Sequence, residues 1–113
     1  MAQVPLDSVF GALADPTRRA IVERLMARGE LAAGDIAANF EISFPAISRH
    51  LRVLEEAGLI RRRAEKQKRL VRARPETLAL AQSWIEQQRA HWTAALDRLE
   101  AVLAAETPKG RKT

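Results

Sequence analysis

The chain's 113 residues and 12.6 kDa suffice for one domain, and its 47% hydrophobic and 29% charged residues match a folded soluble chain rather than a disordered one. The absence of cysteine excludes disulfides, thiolate metal sites and thiol redox chemistry, and no apolar run approaches the roughly 20 residues that cross a bilayer. A formal net charge of +5 and a pI of about 10.7 point to a polyanionic partner.

The excess charge is local. Residues 1–60 net −2 and residues 75–113 net zero, whereas the segment from Arg61 to Arg74 sets eight basic side chains against Glu65 alone. A like-charge block lying between two apolar-patterned regions, rather than in a tail, favours contact with phosphate. Met1 to Val9 has neither the basic start nor the apolar stretch of a secretory signal, so a cytoplasmic chain is expected. Aromatics at 4%, no tyrosine, and abundant Ala, Leu, Arg and Glu favour helices over a β-sandwich.

In chain order, Leu6, Val9, Phe10 and Leu13 fall at helical spacing and predict a short first helix. Asp15-Pro16 starts a second, because Asp caps free amides and Pro loses no hydrogen bond at the first helical position. Its apolar positions Ile21, Val22, Leu25 and Met26 run to Arg28-Gly29, a cationic end with a glycine stop. A third, shorter helix carries Ile36, Ala37 and Phe40 on one face and ends near Glu41; Ala32 and Ala33 stand where a capping side chain is expected. Ser43 begins a fourth, with Pro45 in its first turn, Ile47, Leu51 and Leu54 as the buried stripe, and Ala57-Gly58 as its end. Ser48, Arg49, Arg52 and Glu56 lie on the opposite side.

Beyond Gly58 two short strands are expected, one from Leu59-Ile60 into Arg61–Arg63 and one around Leu70-Val71, joined at Glu65–Lys68. No glycine or proline marks the tip, so its turn type stays open. Pro75 closes this segment. Leu78, Ala81, Trp84, Ile85, Gln88, Trp92, Ala95, Leu96, Leu99, Val102 and Leu103 then recur in steps of three and four along the longest helix. So long a stripe exceeds the needs of one small core and suits packing against a twin. TPKGRKT, Thr107 to Thr113, is expected to be a disordered basic tail, leaving residues 1–106 as the domain.

A short helix, a tight connection at Glu41-Ile42 and a capped helix with a basic face make the helix-turn-helix arrangement, and the basic hairpin after it makes a wing. An α-helix fills the major groove of double-stranded DNA, where its exposed side chains meet base edges and its first amides meet phosphate. The expected fold class is therefore mainly α with a small β-hairpin wing. A rival reading is a helical, antitoxin-like interaction module whose basic hairpin docks an acidic protein; RNA binding lacks the aromatic stacking platform. An enzyme reading lacks a glycine-rich phosphate loop, a cysteine and a tyrosine, and neither Glu55 nor Glu56 stands one helical turn from His50.

Two stretches resemble the ArsR-type winged helix-turn-helix repressors: FGALADPTRRAIVERL from Phe10 to Leu25, and ISFPAISRHLRVLEEAGLI from Ile42 to Ile60. In the second, Ser48, His50, Leu51, Val53, Leu54, Ala57, Gly58 and Leu59 hold the frame of that family's recognition helix and strand entry. The resemblance runs from Leu6 to Leu103. It implies a bacterial homodimer built on the first and last helices, binding palindromic operators and repressing transcription. By position, it implies that Ser43, Pro45, Ala46, Ser48, Arg49 and Arg52 face the major groove. Lys66, Gln67, Lys68 and Arg69 would form the wing tip, with Arg62 among the wing contacts. Phe44 departs from the family's pattern, where a polar residue, often Gln, is usual; its ring could touch a thymine methyl or pack aside. The tip also lacks the customary glycine. His50, beside Leu51, either finishes a helix surface or meets a phosphate.

The implied dimer interface takes Leu6, Val9, Phe10 and Leu13 from the first helix. From the last it takes Trp84, Ile85, Gln88, Trp92, Ala95, Leu96, Leu99, Val102 and Leu103, with the tryptophans as interface core rather than a cofactor box. His91 falls at its edge or in solvent. Arg18 and Arg19 read as structural, pairing with Asp15 or with an acid across the dimer, with a phosphate as the alternative. Metal-responsive members of the family use Cys pairs in the third helix or His and carboxylate ligands on the last. With no Cys and only His50 and His91, no metal site and no cofactor are expected. No membrane partner is expected. The operator, the regulated genes, any small-molecule effector and the sign of regulation are left open.

Overall fold

Helices and strands follow in the order α1 (Leu6–Leu13), α2 (Pro16–Arg28), β1 (Leu31–Ala32), α3 (Ala33–Phe40), α4 (Phe44–Glu56), β2 (Ile60–Glu65), β3 (Lys68–Ala73) and α5 (Pro75–Glu106). The structure, a computed structural model, describes residues 5–106, so the tail expected at Thr107 to Thr113 lies outside the described residues.

The helix starts follow the local chemistry. Asp15 Oδ2 accepts the Arg18 backbone N–H at 3.0 Å with Pro16 at the first helical position, and Ser43 Oγ accepts the Ala46 N–H at 3.3 Å. α3 starts from Ala32 with no side-chain cap. Gly58, at φ 79°, turns the chain out of α4, and the Leu59 N–H reaches back to the Leu54 carbonyl at 2.9 Å. Leu54 and Leu59 are both buried, which places that closure inside the core.

The Arg18 and Arg19 side chains bond to the end of α1. Arg18 Nε donates to the Ala12 carbonyl at 2.8 Å and Arg19 Nη1 to the Leu13 carbonyl at 3.0 Å. Two guanidinium groups thus satisfy the last carbonyls of α1, where the helix dipole is negative.

The sheet holds one strand more than the sequence predicts. Its order is β1-β3-β2, all antiparallel, with Leu31 opposite Val71 and Ala32 opposite Leu70. Two residues are too few for an alternating pattern to show, and β1 runs directly into α3, so the segment read as a helix entry. In the hairpin, Glu65 pairs with Lys68 and leaves Lys66-Gln67 as a two-residue turn, with Lys66 at φ 58°. Positive φ at the first central residue alone is the sign pattern of a type II′ turn, in which glycine is the usual occupant.

The chain divides into two units, Met1–Ala81 and Gln82–Thr113. The core belongs to the first and gathers Val9 and Ala12 of α1, Ile21, Val22 and Leu25 of α2, Ile36 of α3, Ile47, Leu51 and Leu54 of α4, with Leu59, Ile60, Val71 and Ala81. Val9, which the resemblance places in the dimer interface, is fully buried in its own chain. Met26, at helical spacing with the core residues of α2, is instead 48% exposed. The Thr77 hydroxyl, buried in the first turn of α5, donates to the Gly58 carbonyl. In the second unit the described residues are α5 from Gln82 onward, exposed along its length except for a half-buried Ala95.

Candidate nucleic-acid interface

Three residues, Glu41, Ile42 and Ser43, connect α3 to α4. Glu41 takes the left-handed conformation at φ 54°, and the Glu41 and Ile42 N–H groups donate to the Ala38 and Ala37 carbonyls at 3.3 Å each. The Ser43 cap then sets the first turn of α4. Ile47, Leu51 and Leu54 are at most 1% exposed, and that burial fixes the helix's rotation about its axis. The opposite face turns outward: Ser43, Phe44, Pro45, Arg49 and Arg52 are exposed, and Ala46, Ser48 and His50 are half-buried. At the start of α2 the Asp15 carboxyl pKa is lowered, chiefly by the hydrogen bond from the Arg18 backbone N–H and then by the Arg18 charge.

The cations of the hairpin separate into two groups. Arg62 clamps Glu55 of α4, with Nη2 and Nε at 2.6 and 3.0 Å from one carboxylate oxygen. Arg63 grips Glu30 with two hydrogen bonds of 2.9 Å and meets Glu65 at 3.1 Å. Those bonds from Arg63 hold the Glu30 carboxyl below the usual carboxylate range. Arg74 pairs with Glu76. At the tip, Lys66, Lys68 and Arg69 are exposed and make no ion pair with any described residue. Near the base of the wing Arg62, Arg63 and Arg74 are paired within the chain, whereas Arg61 and Arg72, opposite each other there, are exposed and, like the tip cations, make no ion pair with any described residue. Between tip, Phe44 and the start of α3 lies a depression of about 350 Å³ lined by Gln67, Lys68 and Arg69 on one side and Ala32 to Asp35 on the other.

Ser43, Phe44, Pro45, Arg49 and Arg52 are thus exposed away from the buried Ile47 and Leu51, with the wing tip beside the first of them. Arg62, expected among the wing contacts, is instead engaged by Glu55. Sequence reasoning missed both Glu55 and Glu30 as partners. The pairings cross a turn and span 33 residues respectively, so no helical or strand periodicity links them. Among the residues assigned to pairing, Phe10 is 38% exposed, Leu6 and Leu13 are half-buried, and Trp84, Ile85, Trp92, Leu96, Leu99, Val102 and Leu103 are 42–66% exposed. His50 and His91 stand on different helices, and among the described residues no three His, Asp or Glu side chains gather closely enough to hold a metal.

A helix-turn-helix domain model matches residues 13–63. The HTH-type transcriptional regulator Rv2034 of Mycobacterium tuberculosis is 43% identical over 90 residues, covering 80% of either chain. The arsenical resistance operon repressor of Escherichia coli is 34% identical over 95 residues, covering 84% of this chain and 79% of that one. Among solved structures, an ArsR-like transcriptional regulator from Rhodococcus sp. RHA1 superposes with a TM-score of 0.76 at 30% identity, covering 86% of this chain and 91% of that one. A homodimeric winged helix-turn-helix DNA-binding domain from Mycobacterium bovis superposes with a TM-score of 0.61 at 28% identity, covering 76% and 82%.

Proposed function

The chain belongs to the ArsR family of winged helix-turn-helix transcriptional regulators, and from that membership we propose that it is a homodimeric repressor of bacterial operons that binds a palindromic operator. The observation that carries the reading is the set of exposed wing cations that make no ion pair with any described residue, Lys66, Lys68 and Arg69 at the tip among them, beside an outward-facing, capped α4. In this reading α4 enters the major groove, where Ser48, Arg49 and Arg52 offer hydrogen bonds to base edges or phosphates. Lys66, Gln67, Lys68 and Arg69 hold the adjacent backbone, and His50 lies at the margin of that face. Arg62 acts through Glu55, keeping the wing against α4, rather than on DNA.

Two copies pair through the apolar residues of α5 from Trp84 to Leu103 and through Leu6, Phe10 and Leu13 of α1. That pairing sets two α4 helices about one DNA turn, roughly 34 Å, apart. The homodimeric relative supports the assembly, and the relative named as a repressor supports the sign. In this reading the protein acts as a regulator rather than an enzyme and works in the cytoplasm, where its DNA is.

Selection from a random duplex pool at near-physiological salt tests the reading. Enrichment of a two-fold-symmetric site with half-sites one turn apart is the expected result. Retention without a motif would reduce the wing to an electrostatic patch, and no retention would favour docking of an acidic protein instead.

A further inference from the structure

We infer that Phe44 reads the C5-methyl group of a thymine in the operator, an assignment that rests on the DNA-binding reading above. Phe44 is the first residue of α4 and is 55% exposed, more than any other large apolar side chain of residues 5–81. At that exposure the ring is not part of the core. Its neighbours give it a direction. Ser43 Oγ already accepts the Ala46 N–H as a helix cap, and neither Pro45 nor Ala46 has a side-chain donor or acceptor. Ile47 is buried. Beside the Ser43 cap, whose hydroxyl proton stays available as a donor, the first turn of α4 therefore presents apolar side chains, and side-chain hydrogen bonding to bases resumes at Ser48 and Arg49.

Thymine is the one base that shows an apolar group in the major groove, and contact with its methyl is the way an aromatic side chain discriminates there. The partner is a nucleic acid rather than an apolar protein surface because of what lies across the depression from the ring. Lys68 and Arg69 line it from the wing, facing Ala32 to Asp35, and make no ion pair with any described residue, so the wing side of the depression suits a backbone phosphate beside Phe44. A hydrophobic docking site would have had to bury those two charges.

The test uses the site enriched from the random pool, resynthesised with uracil in place of thymine one symmetry-related pair at a time. Binding is measured by fluorescence anisotropy at fixed salt for the wild type, Phe44→Ala and Phe44→Leu. Removal of one buried methyl weakens binding about fourfold in each half-site, or roughly fifteenfold for the pair. The expected result is one thymine pair with that loss in the wild type, a smaller loss in Phe44→Leu and none in Phe44→Ala. Matching thermal unfolding of the three proteins confirms that the exposed position tolerates both changes. A uracil effect of equal size in all three proteins, or a site with no sensitive thymine, overturns the assignment while leaving the DNA-binding reading intact. Failure to enrich any site overturns both.

Discussion

Arg62 and Arg69 stand seven residues apart on one hairpin, yet the first is gripped by Glu55 while the second makes no ion pair with any described residue. Composition counts them alike; only their neighbours separate a positioning cation from a presented one. If Arg62 positions the wing, then Arg62→Glu should weaken operator binding, by up to about fivefold for a partly exposed pair. The double variant Glu55→Arg with Arg62→Glu should recover most of that loss in an anisotropy titration, whereas a direct phosphate contact would leave it as weak as the single change. Carboxylates set a second expectation. Asp15, bonded by the Arg18 N–H, and Glu30, bonded by Arg63, both have pKa values lowered in the folded state. A depressed carboxylate contributes stability that is present above its unfolded pKa, about 4, and lost as pH falls through the folded value. Urea midpoints should therefore hold from pH 7 to about pH 5 and decline below pH 4, less steeply in Asp15→Asn and Glu30→Gln.

Among the elements, chemical punctuation marked the helix ends, apolar spacing and charge alone revealed α1, α3 and the two wing strands, and β1 went unread. Asp15-Pro16, Ser43 with Pro45, and Gly58 mark their helix ends because each satisfies a specific free amide or a specific φ. Two ends violate such rules: Glu41 and Lys66 hold left-handed φ values without being glycine. Glu41→Gly should raise the unfolding free energy by up to about 1 kcal/mol in urea titration, since it relieves a side chain in that region. On the proposed reading the wing tip contributes to the salt dependence of DNA binding. Lys68→Ala combined with Arg69→Ala should weaken operator and random DNA alike and lower the slope of log K against log salt by about two. The two-residue β1 was invisible in sequence because its pairing with β3 is made by partners some 40 positions away.

For the whole molecule, the apolar positions of α5 divide. Leu78 and Ala81 serve the core of the first unit, and those from Trp84 onward stay exposed in a single chain. Trp92, at 66% exposure, is the most exposed large apolar residue of that stretch. Trp92→Glu should convert a dimer into a monomer in sedimentation and abolish operator binding together; full operator binding by a stable monomer would separate the two. The helix-turn-helix, the wing and the length of the last helix could all be read in one dimension, because caps, apolar spacing and charge runs act between residues near in sequence. Which cations are presented and which are held, that Val9 belongs to the core rather than to a partner, and that a third strand closes the sheet were decided only on folding. Those outcomes depend on contacts between residues far apart in the chain, and no local periodicity encodes them.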